Sequence, residues 1–192
     1  MIFEQQMDLL KKNNKPEWSQ KNFPDPKNIE TIAIDLETHD PEIKNLGGGW
    51  ATNKGFVVGI AISIEGFDAY FPIAHEYGGN VDENALKNWL RDVFKRDPIV
   101  VMHNAVYDLG WLRRWGVECN VSKVYDTMIA APLIDENRFS YKLDHLAKDY
   151  LGERKQGNIL EDFGKEYGFR AIENMHKVPV EYAGIYAEQD TR

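Results

Sequence analysis

The 192 residues, 43% hydrophobic and 12% aromatic, suffice for one domain with a substantial core, and no apolar run approaches the ~18 residues of a membrane span. A single cysteine, Cys119, excludes an internal disulfide and a cysteine-built zinc site, and the N-terminus lacks the apolar stretch of a signal peptide, so a reducing, cytoplasmic setting is expected. The formal net charge of −8, from 31 acids and 23 bases, argues against a broad basic face for nucleic acid, although a carboxylate cluster that holds divalent cations is acidic too.

Residues 1–28 are polar and read as an N-terminal arm with a short helix at 2–12; the texture changes at residue 29, where a domain spanning 29–192 is expected to begin. "IETIAIDLE" (29–37) alternates apolar and polar residues and predicts a strand. "NLGGGWATNKG" lacks phosphate-loop spacing and reads as a connector. "FVVGIAISI" and "FDAYFPI", separated by Glu65-Gly66, predict two further strands and hence an antiparallel meander.

The period then changes. Leu86, Trp89, Leu90, Val93 and Phe94 fall on one helical face behind Asp82, a suitable N-cap. "IVVM" is a short buried strand, 105–115 a helix with Asn104 as N-cap and Gly116 as its stop, and "SKVYD" another strand. "TMIAAPLI" is a helix that Asp126 or Thr127 can cap. "YKLDHLAKDYLG" is a second helix, with Leu143, Leu146, Ala147, Tyr150 and Leu151 on one face. Two short helices fill 158–177, and Pro179 opens the last helix as its first residue. The order βββαβαβ followed by helices predicts an α/β fold: a mixed five-stranded sheet, meander plus parallel strands, flanked by helices.

Three acidic patterns stand at chosen places in this frame. Asp35 and Glu37 are two apart on the first strand and so project to one side, opposite Ile32 and Ile34. Asn104 and Asp108 flank a strand-to-helix junction four residues apart, and Tyr182, Tyr186 and Asp190 form one stripe on the last helix. Alone, each has a plain structural reading: a chance pair, a helix-start acid and cap, an amphipathic helix. Together they place four acids at one end of an α/β sheet, where such a cluster repels itself unless cations lie within it. Two divalent cations ~3.5–4 Å apart would satisfy it, the arrangement of two-metal phosphoryl chemistry.

The motifs "AIDLETHD", "HNAVYDLGWL" and "YAEQD" resemble, in order and spacing, those of the DEDD superfamily of 3′–5′ exonucleases, and in particular the proofreading domain of family-A DNA polymerases. Ile185 stands where the histidine subclass has His, so the likeness is to the tyrosine subclass. "VYDTMIAAPLIDE" and "YKLDHLAKDYLG" resemble intervening segments of that group and of the ribonuclease D branch, and the likeness covers about residues 29–190. It implies a ribonuclease H-like fold and a metal-dependent exonuclease that releases nucleoside 5′-monophosphates from the 3′ end of single-stranded DNA. Asp35, Glu37 and Asp190 would hold one Mg2+ or Mn2+, and Asp35 with Asp108 the second. Tyr186 would orient the attacking water, while Thr38, Asn104 and Tyr107 would lie near the terminal nucleotide.

Other residues carry weaker signals. His103 reads as substrate contact or as a hydrogen-bonded structural histidine, and Trp50 as a base platform or a loop anchor. Lys123, Arg138, Lys142, Lys148, Arg154 and Lys155 make a basic stretch suited to backbone contact. The end at Arg192, two residues after Asp190, suggests a domain that continues into, or works with, a polymerase. RNA trimming of the ribonuclease D type and a catalytically dead nucleic-acid or polymerase scaffold stay open as alternatives.

Overall fold

In the computed structural model, which describes residues 17–152 and 158–192, the first strand, β1 (Thr31–His39), lies at the centre of the sheet. It pairs antiparallel with β2 (Phe56–Ile64), which pairs antiparallel with β3 (Phe67–Pro72) across the Glu65-Gly66 turn. On its other side β1 runs parallel to β4 (Ile99–Met102), and β4 parallel to β5 (Lys123–Asp126), giving the order β3-β2-β1-β4-β5. This is the mixed five-stranded sheet expected from the sequence. The short helix expected at 2–12 lies outside the described residues, as do Arg154 and Lys155.

The helices are α1 (Glu83–Phe94), α2 (Ala105–Trp115), α3 (Thr127–Ile134), α4 (Leu143–Leu151), α5 (Asn158–Tyr167) and α6 (Val180–Asp190). Asp82 caps α1 by accepting from the Ala85 N–H at 2.6 Å. Gly116 ends α2 in the left-handed region, at φ 94°, where a Cβ would be strained. The glycine-rich connector differs from expectation in holding two one-turn helices, Ile43–Leu46 and Gly49–Thr52. Pro179 takes the cap position, one residue before α6 begins.

Each face of the sheet has its own core. Alternation along β1 sends Ile32, Ile34 and Leu36 to one face, where they meet Ile60, Ile62 and Phe71 of the meander and Leu86, Leu90 and Leu112 of α1 and α2. Full burial of one such aliphatic side chain contributes ~1.5–3 kcal/mol. On the other face Val58, Ala61 and Tyr70 meet Leu160 and Phe163 of α5, Met175 and Val178, and Ala183, Tyr186 and Ala187 of α6.

The N-terminal segment, read from sequence as an arm, lies on the domain over its described residues. Phe23 packs against Phe71 and Trp89, with ring centroids 4.8 and 5.7 Å away, and the Trp89 indole donates to the Pro24 carbonyl at 2.7 Å. Conversely, α3 and α4 are loosely covered. Only Ala131 of α3 and Leu146 of α4 are buried, and Ile129, Leu133, Ile134, Tyr150 and Leu151 are exposed.

Candidate active site

Asp35 and Glu37 project from β1 on the face opposite Ile32, Ile34 and Leu36, half-buried. Their partners across β2 are small: Ala61 opposite Asp35 and Gly59 opposite Glu37. The space this leaves is filled by the ring of Tyr70 from β3, since a Cβ on Gly59 would fall 2.1 Å from the Tyr70 hydroxyl oxygen. Helix α6 crosses the same face and brings Asp190 to the pair. Asp35, Glu37 and Asp190 each offer a carboxylate oxygen within 4.8 Å of the others, a spacing that can enclose a cation. Tyr186, one turn before Asp190 on the same helical face, is buried in the second core, and Tyr182 before it packs on Phe163 at 5.2 Å.

Asp108 stands beside this triad but outside its 4.8 Å group. It sits in the first turn of α2, only 3% exposed, and accepts the Leu36 N–H at 3.2 Å. Burial, reinforced by the charge of Asp35, pushes its carboxyl up to about 8.

Of the residues expected near a terminal nucleotide, two are brought together. The Thr38 hydroxyl donates to the Tyr107 hydroxyl at 2.8 Å, and Tyr107 donates onward to Asp40 Oδ2 at 3.1 Å. Asp40 Oδ2 also accepts the Gly49 N–H at 2.8 Å, so the end of β1, α2 and the glycine-rich segment share one anchor. Burial is the main reason the Tyr107 hydroxyl is pushed up to about 12. Trp50 lies on α2 over Gly110, where a Cβ would come within 2.5 Å of its ring; the indole anchors that segment.

Asn104 departs from its expected capping role. It is exposed and left-handed, at φ 68°, and its side chain makes no cap bond. Asp126 does that work from the end of β5, accepting the Asn104 and Ala105 N–H groups at 3.0 and 2.8 Å and the Met128 N–H at 2.9 Å. One carboxylate thus serves the starts of both α2 and α3. His103 pairs through Nδ1 with Thr127 Oγ1 at 2.9 Å, the hydrogen-bonded structural alternative.

Sequence reasoning missed the Tyr70–His75 pair behind the carboxylates. Burial lowers His75 to about 4, so the ring is neutral at ordinary pH. His75 Nδ1 meets the Val178 carbonyl at 2.8 Å, which only an N–H can satisfy, so Nε2 accepts the Tyr70 O–H at 2.7 Å. Burial first, then the charges of Glu37 and Asp35, raise Tyr70 well above the usual tyrosine range. Nothing in the run "FDAYFPI" marks Tyr70; its role follows from the β1–β2–β3 register.

The family model for the 3′–5′ exonuclease domain of family-A DNA polymerases matches residues 17–192. The chain belongs to that family.

Among relatives of this exonuclease domain is a DNA-directed DNA polymerase of Pseudomonas phage M6, 34% identical over 176 residues, covering 88% of this chain and 26% of the relative. DNA polymerase DpoZ of Salmonella phage PMBT28 is 34% identical over 174 residues, covering 88% and 25%. The chain therefore spans about a quarter of the length of these polymerases. The fold is shared with a Trypanosoma brucei RNase D crystallised with RNA U12, at a TM-score of 0.57 and 14% identity over 86% of this chain and 55% of that one. The catalytic core of Trypanosoma brucei RRP6 matches at a TM-score of 0.54 and 21% identity, over 97% and 48%. Among the described residues no helix is long and apolar enough to cross a membrane.

The carboxylate cluster has a donor set that suits a divalent cation. Three carboxylates converge, and burial, reinforced by the charge of Asp35, raises the neighbouring Asp108 well above the ordinary carboxylate range, a repulsion that a cation would relieve. Beside the triad an apolar groove of about 310 Å3 runs between α3 and α4, lined by Ala130, Ile134, Leu146 and Tyr150 and reaching Asp190 and Arg192 at one end.

Proposed function

We propose that this domain is the proofreading exonuclease of a DNA polymerase, acting in cis or in trans on the 3′ end of single-stranded DNA and releasing nucleoside 5′-monophosphates. The observation that carries the reading is the meeting of Asp35, Glu37 and Asp190 within 4.8 Å, beside buried Asp108, in a chain of this family. Asp35, Glu37 and Asp190 would hold one Mg2+ or Mn2+, and Asp35 with Asp108 a second. Bound there, divalent cations supply a water ionised near neutral pH and positive charge against the leaving 3′ oxygen.

The protein's own groups do the rest. Tyr186, as in the tyrosine subclass, orients the attacking water with its hydroxyl, and Glu37 accepts a hydrogen bond from the same water. Tyr107 stays neutral at working pH and, tied to Thr38 and Asp40, holds a fixed hydroxyl toward the terminal nucleotide; exposed Asn104 adds a polar contact at the head of α2. The Tyr70 ring floors the site and keeps water from beneath the carboxylates. DNA is favoured over RNA because the curated relatives are phage DNA polymerases.

A 5′-labelled single-stranded DNA oligonucleotide with Mg2+ or Mn2+ should shorten stepwise from its 3′ end, faster than a matched RNA. The Asp35→Ala/Glu37→Ala variant should abolish shortening. Unchanged shortening in that variant would refute the site, and a faster rate on RNA would refute the substrate.

A further inference from the structure

The back of α6 carries a carboxylate that the proposed chemistry does not use. Gly184 and Glu188 each lie two residues from Tyr186 or Asp190, about 200° around a helix, and so face away from the site. Glu188 is 5% exposed. A carboxylate is tolerated there only if donors surround it. Glu188 Oε1 accepts from the Trp18 indole at 2.8 Å and from the Tyr70 N–H at 3.1 Å, while Oε2 meets Lys21 Nζ at 3.2 Å and Arg192 Nη2 at 3.8 Å. Arg192 is itself held by Asp68 of β3 at 2.6 Å. One turn earlier the helix is bare: a Cβ on Gly184 would fall 2.3 Å from the Trp18 ring.

These contacts tie α6 to the N-terminal segment and to β3, the edge strand whose Tyr70 ring floors the carboxylates. A helix gripped on one side is fixed in rotation about its own axis. Side chains reach about 5–6 Å from the axis, so a turn of about 20° would carry the Asp190 carboxylate about 2 Å. Metal sites tolerate about 0.2 Å in a ligand distance. We propose that Glu188 is a positioning residue: with Trp18 and Lys21 it sets the rotation of α6 and so aims Asp190 and Tyr186 at Asp35 and Glu37. This rests on the exonuclease reading above.

The test is Mn2+ titration calorimetry, with amide hydrogen exchange on the metal-free chain and steady-state kinetics on single-stranded DNA. Glu188→Ala should weaken Mn2+ binding and lower kcat by about tenfold or more, the range for lost support behind a metal ligand, with KM within about twofold. Amides of residues 186–190 should exchange faster, those of β1 unchanged. Glu188→Gln keeps an acceptor for Trp18 and Tyr70 and should restore Mn2+ affinity to within about threefold. Trp18→Phe, which keeps a ring over Gly184 but loses the donor, should fall between. Leu86→Ala, in the opposite core, provides a stability-matched control. Equal Mn2+ affinity in Glu188→Ala and the unaltered chain would overturn this proposal alone, as would equal weakening in Leu86→Ala. Failure of the unaltered chain to bind Mn2+ would overturn the metal reading and this proposal with it.

Discussion

Raising the pH from 6 to 8 should tighten Mn2+ binding steeply, because a cation entering the site must displace a proton from Asp108. Burial and Asp35 hold that carboxyl at about 8 in the metal-free protein. It is thus ~99% protonated at pH 6, ~90% at pH 7 and half protonated at pH 8. The sign follows from linkage. The folded, metal-free chain keeps a proton that the unfolded chain releases near 4, and positive charge in the triad expels it whether or not Asp108 touches the ion. Each binding event below pH 7 should release close to one proton, and affinity should rise about tenfold from pH 6 to 7 and flatten above 8. Calorimetric titration at pH 6.5 in two buffers of different ionisation enthalpy measures the proton directly. Asp108→Asn should remove both the proton and the slope. Release of less than ~0.3 proton, or a slope that survives Asp108→Asn, would refute the reasoning.

Further expectations concern the frame around the site. Gly59→Ala sets a Cβ 2.1 Å from the Tyr70 hydroxyl and should cost about 1–3 kcal/mol in urea unfolding. Asp126→Ala strands three backbone N–H groups at two helix starts and should cost about 2–3 kcal/mol, against ~1 for an ordinary cap, whereas Asn104→Gly should change stability by under ~0.5. His75, held at about 4 against an ordinary 6.5, favours protonation of the unfolded state, so its contribution is lost as pH falls through that window. The stability gap between the unaltered chain and His75→Gln should narrow by about 3 kcal/mol from pH 7 to pH 4; the opposite trend of Asp108 is common to both and cancels. A constant gap would show that His75 is not buried neutral.

The sequence was most informative where a side chain's role is fixed by its near neighbours. Alternation along β1 was enough to put Asp35 and Glu37 on the face away from Ile32 and Ile34, and Asp82 was readable as a cap because the N–H it accepts from lies within three residues. Asn104 misled for the converse reason: its local setting is a cap, but β4–β5 pairing brings Asp126 from 22 residues away to do that work. Glu188 was invisible because α6 is buried on several sides, which erases helical periodicity, and because its indole partner lies 170 residues away. The face of α4 was read correctly as apolar, yet Tyr150 and Leu151 border an open groove, since periodicity reports that a face exists and not what covers it.

Glu188 also bears on how the isolated domain behaves in concentrated solution. An outermost strand with free amides invites a foreign strand to dock and extend the sheet, the first step of fibre growth. On β3 the Tyr70 amide is already taken by a negatively charged group, and the helix that carries it shields that stretch of the rim. The contact that anchors α6 thereby also closes this point of the β3 edge to a docking strand.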